Sequence, residues 1–359
     1  MAPTSEKLRS EQGEWASQTF GQPDSSSSSV PVAVALGGTQ GIGLGTAIAL
    51  NRAFQGRLHI IFASRSAESS KERILAELPF PTGSQDGAGR VEFVNCDASS
   101  FGSVKALALK VKEIVESNGG AVNYVITTCG QLTTEGTDRT PDGVEKKLAM
   151  NYYSRFLLCE QLLPNMEAAR EKGQPARFLS VLAPGRGGEL NMDDFGLEKE
   201  AQISGTSWLR RSRWLREAEK AGVGYGDFTC EVNYRVSCSS QPNSMILIRD
   251  GQYLAKQHPN LSFLHTFPGF VNTGVLNTLP RAIRFLGKPL MALGYSYQYS
   301  GEVMTSVLLD PQFASGAFNR GATGQPLPRA TWPGLESQGE AGRTEVAEKL
   351  WAHFKRVTA

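Results

Sequence analysis

The stretch VAVALGGTQGIGLGTAIAL, residues 32–50, decides the fold of this chain. It begins with five apolar residues, as a buried strand does, and ends in small and apolar residues typical of a buried helix. Between them, Gly37, Gly41 and Gly43 have the spacing G-x-x-x-G-x-G. The first glycine allows a tight turn, the second lets the backbone approach a pyrophosphate, and the third lets helix and strand pack closely. The stretch therefore predicts a strand, a phosphate-binding turn and a helix.

From Val30 onward, short apolar runs alternate with longer amphipathic stretches, which is typical of a parallel sheet covered by helices. One such stretch, residues 103–116, places its apolar side chains on one face at helical spacing, and residues 148–164 predict a second, more buried helix. The pattern predicts an α/β protein with one Rossmann-type, doubly wound parallel sheet and helices on both faces. The strand candidates are residues 30–36, 58–64, 91–96, 122–128, 177–182 and 261–267.

The chain divides into three parts by composition. Residues 1–29 are polar, end in a serine tract and show no sustained period, so they are predicted to be a disordered tail. Residues 30–330 hold the predicted dinucleotide-binding domain, and residues 331–359 a helical C-terminal extension. Within the domain, residues 186–243 form a connection far longer than the typical length of about 4 to 6 residues. We interpret them as an insertion.

Composition excludes several classes of protein. The 359 residues carry a formal net charge of only +2, without a basic block interleaved with aromatic residues, so nucleic acid is not expected as a partner. The five cysteines are odd in number and form no C-x-x-C pair, which favours a reducing compartment. No apolar run approaches the ~20 residues of a membrane span, and no signal peptide is recognisable. A cytoplasmic protein is the expectation.

The end of the second predicted strand indicates the type of dinucleotide. An acidic residue at this point would accept from the ribose 2′-hydroxyl, whereas the guanidinium of Arg65 can pair with a 2′-phosphate. NADP(H) is therefore expected rather than NAD(H), although a solvated surface arginine is an alternative. Asp97, just past the third strand, is a candidate acceptor for the adenine amino group. Thr39, Gln40 and Ile42 complete the predicted cofactor-binding turn.

Six features that occur in this order together resemble the short-chain dehydrogenase/reductase superfamily. The resemblance covers about residues 30–320 without the insertion, and it looks most like the fungal branch found in secondary-metabolite pathways. The features are GGTQGIG at residues 37–43, Arg65, CDAS at residues 96–99, TTCG at residues 127–130, Asn151, and HTFPGFVNTG at residues 265–274.

The resemblance implies roles for two further segments. TTCG corresponds to an Asn-Asn-Ala-Gly turn beside the adenosine, with Thr127 and Thr128 in place of both asparagines and Gly130 as a cofactor-binding residue. The PGFVNT segment corresponds to the run whose backbone and threonine bind the nicotinamide amide. In this chain the residues concerned are Pro268, Gly269, Val271 and Thr273.

Only part of the family's catalytic set is present. The resemblance implies a serine after the fifth strand, an asparagine that anchors a water relay, and Tyr-x-x-x-Lys on one helix. Asn151 matches the asparagine, although a purely structural role in bending or capping its helix is an alternative. The serine position falls on Ala183, and Ser180, on the strand itself, is expected to face elsewhere. The substrate oxygen has therefore lost a donor.

Two registers compete for the catalytic tyrosine. Counting back from the sixth strand places the tyrosine and lysine positions on Ser240 and Ser244, whereas counting from the nearest tyrosine gives Tyr234, with Cys238 at the lysine position. Without an ammonium beside it, Tyr234 could still donate a proton to a carbonyl but would be a poor base. A third interpretation is that a retained intron or frame error produced both the insertion and the altered helix.

Two functional hypotheses remain from the sequence. The first is an NADP(H)-dependent oxidoreductase that reduces a ketone, or oxidises a secondary alcohol, of a lipophilic polyketide or terpenoid intermediate in secondary-metabolite biosynthesis. The second is a catalytically impaired or non-redox protein of the same fold, either a cofactor-binding scaffold or a cyclase or isomerase. By analogy with the family, a homodimer or homotetramer is expected.

Overall fold

The computed structural model describes residues 2–21, 30–80, 89–130, 138–182, 251–273, 294–327 and 339–359. The sequence predictions for the insertion over 186–243, for Ala183 and for Tyr234 lie outside the described residues.

A seven-stranded parallel sheet forms the centre of the described chain, in the order β3-β2-β1-β4-β5-β6-β9. The strand order reverses between β1 and β4, and a crevice at the carboxyl ends of the strands is expected there. A separate parallel pair joins β7 and β8. The strands are β1 (Val32–Leu36), β2 (His59–Ser64), β3 (Val91–Asn95), β4 (Tyr124–Thr127), β5 (Arg177–Val181), β6 (Ser262–Thr266), β7 (Val271–Asn272), β8 (Tyr295–Ser296) and β9 (Gly316–Arg320).

Helices cover both faces of this sheet. A π-helical turn, Ala149–Tyr153, joins two of them. Among the described helices, none has the length and apolar character needed to cross a membrane. The helices are α1 (Ser5–Phe20), α2 (Gly41–Ala53), α3 (Lys71–Glu77), α4 (Phe101–Val115), α5 (Lys146–Leu148), α6 (Ser154–Glu171), the described part of α7 (251–257), α8 (Tyr297–Leu309) and α9 (Gly339–Thr358).

Two hydrophobic cores lie on the two faces of the sheet. Successive side chains of a strand point to opposite faces, so Val34 packs toward α4, α6, α7 and α9, whereas Ala33 packs toward α1, α2 and α8. All five residues of β1 are buried, because a central strand in such a sheet is covered on both sides. The predicted fold class, a doubly wound parallel sheet, is confirmed.

All six predicted strands are present, but β9 was not predicted. Its five residues, GAFNR, begin with glycine, end with arginine and are each only half-buried, so no apolar run marks it. It forms the edge of the sheet by pairing in parallel with β6. Position at an edge explains the weak signal, because an edge strand needs less apolar surface than a central one.

The N-terminal segment is not wholly a disordered tail, since residues Ser5–Phe20 form α1. Leu8, Gln12, Ala16 and Phe20 are buried at four-residue spacing. The polar Gln12 concealed this face in the sequence, yet its Nε2 donates to the Glu302 carbonyl at 2.7 Å and to a serine hydroxyl at 2.8 Å. The prediction failed because those partners lie on α8, almost 300 positions away.

The C-terminal helix α9 packs onto the α4 and α6 side of the domain. Leu350 and Phe354 are fully buried in that core. The Phe354 ring stacks on Trp351 with ring centres 4.7 Å apart and meets Tyr152 edge-on at 6.1 Å. This helix lies within the segment predicted to be a helical extension, and it covers part of α6.

Glycines allow α2 and α8 to lie against each other at backbone contact. A Cβ atom built on Gly45 would lie 2.2 Å from the Tyr297 carbonyl oxygen, and one built on Gly301 would lie 2.1 Å from the Gly45 carbonyl carbon. Side chains at either position would push the helices apart. The crossing therefore fixes α8 over the helix that starts at the glycine-rich turn.

Replacement of Gly301 by alanine is expected to lower the free energy of unfolding by about 1–3 kcal/mol, because the new methyl group meets backbone that must move. Gly13 in α1 is the matched control, since a Cβ there has no neighbour within 4 Å. Gly13→Ala should stabilise by up to about 1 kcal/mol through helix propensity. Urea denaturation of both variants measures the difference, and equal effects would contradict the helix-crossing role.

We expect Phe354→Ala to cost about 3–5 kcal/mol of the free energy of unfolding, as loss of a fully buried ring does in other cores. Lys349→Ala on the same helix is the control, because its side chain is 56 % exposed and pairs only with Glu345 among the described residues. Thermal unfolding followed by circular dichroism compares the two. A cost for Phe354→Ala no larger than that of the control would show that α9 is not part of the folded domain.

Candidate cofactor-binding site

The glycine-rich turn lies at the carboxyl end of β1, pressed against the end of β4. Gly37 has φ +87°, and a Cβ on it would lie 2.6 Å from the Cys129 amide nitrogen. A Cβ on Gly43 would lie 2.4 Å from the Gly37 carbonyl oxygen. The Thr128 hydroxyl donates to that same oxygen at 3.0 Å. Larger residues would fill this cradle, so the turn can approach a ligand only with glycine at these positions.

The start of α2 presents backbone donors beyond this turn. Gln40 is the N-cap residue, its side chain caps no backbone group, and Gly41 follows with φ +55°. The first N–H groups of a helix lack partners within it, and its dipole favours an anion there. Thr39 is turned away, since its hydroxyl donates to Ser64 Oγ at 2.9 Å, and Ile42 is half-buried. The turn therefore fits a pyrophosphate.

Two charged residues flank the turn at the ends of β2 and β3. Arg65 is exposed, and no hydrogen bond joins it to another described residue. Asp97 is half-buried, and its Oδ1 accepts from the Ser99 amide at 2.9 Å and the Ser99 hydroxyl at 2.8 Å. Burial by itself raises the pKa of Asp97, but these bonds and the charges of Arg65 and Lys146 hold that pKa below its ordinary value. Asp97 is an anion at neutral pH.

The threonines that replace two asparagines take part in the sheet. The Thr127 hydroxyl donates to the Leu179 carbonyl oxygen on β5 at 3.2 Å, and Thr128 holds the glycine-rich turn. Gly130 then passes close to the π-helical turn before α6, where a Cβ would lie 3.0 Å from Asn151 Oδ1. Support for this edge of the sheet therefore survives the change of residue type.

Asn151 lies in the π-helical turn, 6 % exposed. Its Oδ1 has no hydrogen-bond partner within the described part of the chain. A buried acceptor without a partner is costly, and isolated π-helical turns occur frequently at functional sites. The geometry leaves this oxygen available to a water or a ligand beside Gly130.

Arg155 is the residue that the sequence analysis missed at this site. It is 1 % exposed, and its guanidinium donates to the Thr127 carbonyl at 3.2 Å, the Val181 carbonyl at 2.9 Å, the Ser180 hydroxyl at 2.8 Å and the Cys129 carbonyl. Burial lowers its pKa. A lone arginine within the apolar run 148–164 was the available signal.

The segment after β6 returns to the glycine-rich turn. Gly269 has φ +75°, the preceding Pro268 is half-buried, and Val271 is buried and paired with β8. A Cβ on Gly41 would lie 3.2 Å from Thr273 Cγ2. The structure thus brings together the predicted phosphate-binding and nicotinamide-binding segments, which are more than 220 positions apart in sequence.

Two further residues were considered for catalysis, Tyr234 and Ser180. Tyr234 lies outside the described residues. Ser180 is on β5, 2 % exposed, and its hydroxyl accepts from Arg155, so it faces α6. Among the described residues there is no cluster of three or more histidine, cysteine or carboxylate side chains that could hold a metal ion.

Comparisons with known proteins agree with this geometry. The family model for short chain dehydrogenases matches residues 31–183. An oxidoreductase of Emericella nidulans is 25 % identical over 252 residues, 70 % of this chain and 62 % of that protein. The oxidoreductase andH of Emericella variicolor is 26 % identical over 286 residues, 78 % and 71 % of the two chains. Human polyprenol dehydrogenase is 31 % identical over 166 residues, 45 % of this chain and 46 % of that protein.

Solved structures share the fold at low sequence identity. An uncharacterised protein of Mycobacterium paratuberculosis has a TM-score of 0.54 at 17 % identity, covering 91 % of this chain and 93 % of that one. An alcohol dehydrogenase of Thermococcus sibiricus, solved with 5-hydroxy-NADP, has a TM-score of 0.51 at 18 % identity, covering 83 % and 99 %. The family match and the fungal relatives place residues 31–183, which include the glycine-rich turn at the β1 edge, in the short-chain dehydrogenase/reductase superfamily. The solved structures share the fold alone.

Proposed function

We propose that this protein is an NADP(H)-dependent oxidoreductase that reduces a ketone of a lipophilic polyketide or terpenoid intermediate. The observation that carries the proposal is the close approach of Thr273 to Gly41, where a Cβ would lie 3.2 Å from Thr273 Cγ2. It joins a turn suited to a pyrophosphate to the segment that the family uses for nicotinamide. A scaffold that bound only the adenosine half of a dinucleotide would not need the second segment.

Arg65 supports the preference for NADP(H). Its guanidinium is exposed at the end of β2, where the fold places the adenosine ribose, and it has no hydrogen-bond partner among the described residues. A bidentate pair with a 2′-phosphate would satisfy it. Asp97 lies close enough to Arg65 for the charge of the guanidinium to lower the pKa of Asp97.

The proposed direction of reaction depends on the proton donor. Bound NADPH would supply the hydride to the carbonyl carbon, and the protein must supply a proton to the oxygen. Tyr234 is the proposed donor, and Asn151 Oδ1, buried without a described partner, is the proposed anchor of the water that replaces the proton. Since no lysine follows four residues after Tyr234, reduction should be faster than oxidation.

The relatives support the proposed substrate class. Two are fungal oxidoreductases, and the name of the human relative, polyprenol dehydrogenase, states a long apolar alcohol. The cytoplasm and a homodimer or homotetramer stay predictions. The part of α6 that α9 covers is not available to a partner subunit.

A non-redox protein of the same fold is the second candidate. The observation that favours it is the position of Ser180, which is held by Arg155 and faces α6, while the serine position of the family falls on Ala183. Such a protein would bind NADP(H) through the same turn. The two candidates therefore differ in turnover and not in binding.

Arg65→Glu should weaken NADPH binding at least ten-fold, because a carboxylate replaces the guanidinium beside the 2′-phosphate, while NADH binding stays within about three-fold. Arg90→Glu, at an exposed arginine at the opposite end of the sheet, is the control and should change neither. Titration calorimetry with both nucleotides measures the four affinities. An equal loss for NADPH and NADH would contradict the role of Arg65.

Tyr234→Phe should lower kcat for NADPH-dependent reduction of a lipophilic ketone by roughly 10²–10⁴, the usual contribution of a general acid. Tyr253→Phe is the matched control, because the Tyr253 ring in α7 packs against Trp351 in α9. The kcat of this variant should be unchanged. NADPH oxidation is followed by absorbance. If the wild type binds NADPH but oxidises it with no member of a ketone panel, the non-redox candidate replaces the oxidoreductase.

A further inference from the structure

A cavity of about 200 Å³ lies beside the sheet, between β5, β6 and β9 on one side and α6 and α7 on the other. Phe156 of α6 and Gln252 of α7 form part of its wall. None of the residues of the glycine-rich turn lines it. The cavity is therefore distinct from the proposed cofactor site. Arg155 connects the two, because it donates to the Cys129 carbonyl at that site and to Ser180, which lines the cavity.

Strand register gives this cavity a polar row and an apolar row. Ser180, His265 and Asn319 are paired across β5, β6 and β9, so their side chains lie side by side on the cavity face. Two residues earlier on each strand, the same face is apolar. The members of that row are Phe178, Phe263 and Ala317.

His265 is the unusual member of the polar row. It is 5 % exposed, and neither Nδ1 nor Nε2 has a hydrogen-bond partner among the described residues. Burial, and then the charge of Arg155, lower its pKa to about 3, so the ring is neutral and offers one N–H donor. Buried polar groups are nearly always paired, and this one borders an open space.

The positive charge next to the cavity favours an anion. Arg155 donates to Ser180 Oγ at 2.8 Å, which leaves the Ser180 hydrogen free to donate into the cavity. Arg320 also borders the cavity, but its guanidinium lies over the Phe313 ring, 4.3 Å from the ring centre, on the face of the sheet opposite to Ser180 and His265. The described residues that line the cavity include no carboxylate. The cavity therefore has hydrogen-bond donors and a cation next to it, but no negatively charged side chain among its described lining residues.

We propose that this cavity is a second binding site, for a small aromatic monocarboxylate. The ring would lie against Phe178 and Phe263, and the carboxylate would accept from the Ser180 hydroxyl and the His265 N–H. The size fits, because an apolar cavity of about 150 Å³ holds benzene, and a single ring with one carboxylate needs little more. Hydrogen bonds to an ionised acceptor are also stronger than neutral ones.

The test compares benzoate with benzamide, which has the same shape without the charge. Ligand-detected NMR titration of the full chain should show benzoate binding at least ten-fold more tightly than benzamide, in the presence of saturating NADPH as in its absence. His265→Leu should weaken benzoate binding about ten-fold, as loss of one hydrogen bond to a charged group does. His258→Leu, at a half-buried histidine paired with Glu167, should leave it unchanged.

Three results would overturn the proposal. The first is equal affinity for benzamide and benzoate, which would remove the charge argument without any variant. Displacement of benzoate by NADPH would assign the binding to the nucleotide site. Unchanged affinity in His265→Leu would remove the polar row from the site. None of these outcomes depends on whether the protein reduces ketones.

Discussion

The buried guanidinium of Arg155 is the interaction on which both sites depend. Moving a cation out of water costs several kcal/mol, and no described carboxylate pairs with this one. Instead, it donates hydrogen bonds to backbone carbonyl oxygens at the ends of β4 and β5 and to the Ser180 hydroxyl. Such an arrangement is stable only if those groups stay in place. Arg155 therefore holds the edge of β4 that supports the glycine-rich turn and the wall of β5 that faces the cavity.

Glycines occur in and just after the glycine-rich turn because α2 packs there against the end of β4 and against α8. Gly37 and Gly43 leave no room for a Cβ beside the end of β4, and Gly45 leaves none beside α8. Backbone therefore packs directly on backbone at the start of α2. This places the N-terminal N–H groups of the helix at the strand edge, where an anion can reach them. The same closeness places the predicted phosphate-binding turn and a helix crossing in one short stretch.

Two helices outside the sheet complete the domain from opposite sides. α1 buries Leu8 and Phe20 on the α8 side, with Arg9 Nε 2.6 Å from Glu302 Oε1, and α9 buries Leu350 and Phe354 on the α6 side. Each helix thus covers apolar side chains of one of the two layers.

The sequence by itself determined the six apolar strands, the face of α4 and the glycine turn, because each depends on local spacing of residue types. It did not determine α1, since Gln12 is buried only through partners on α8. It did not determine β9, because an edge strand carries little apolar signal, nor the role of Arg155, whose acceptors come from β4 and β5. Burial of a polar group depends on partners distant in sequence. Only the tertiary structure supplied them, and it brought Thr273 to Gly41 for the same reason.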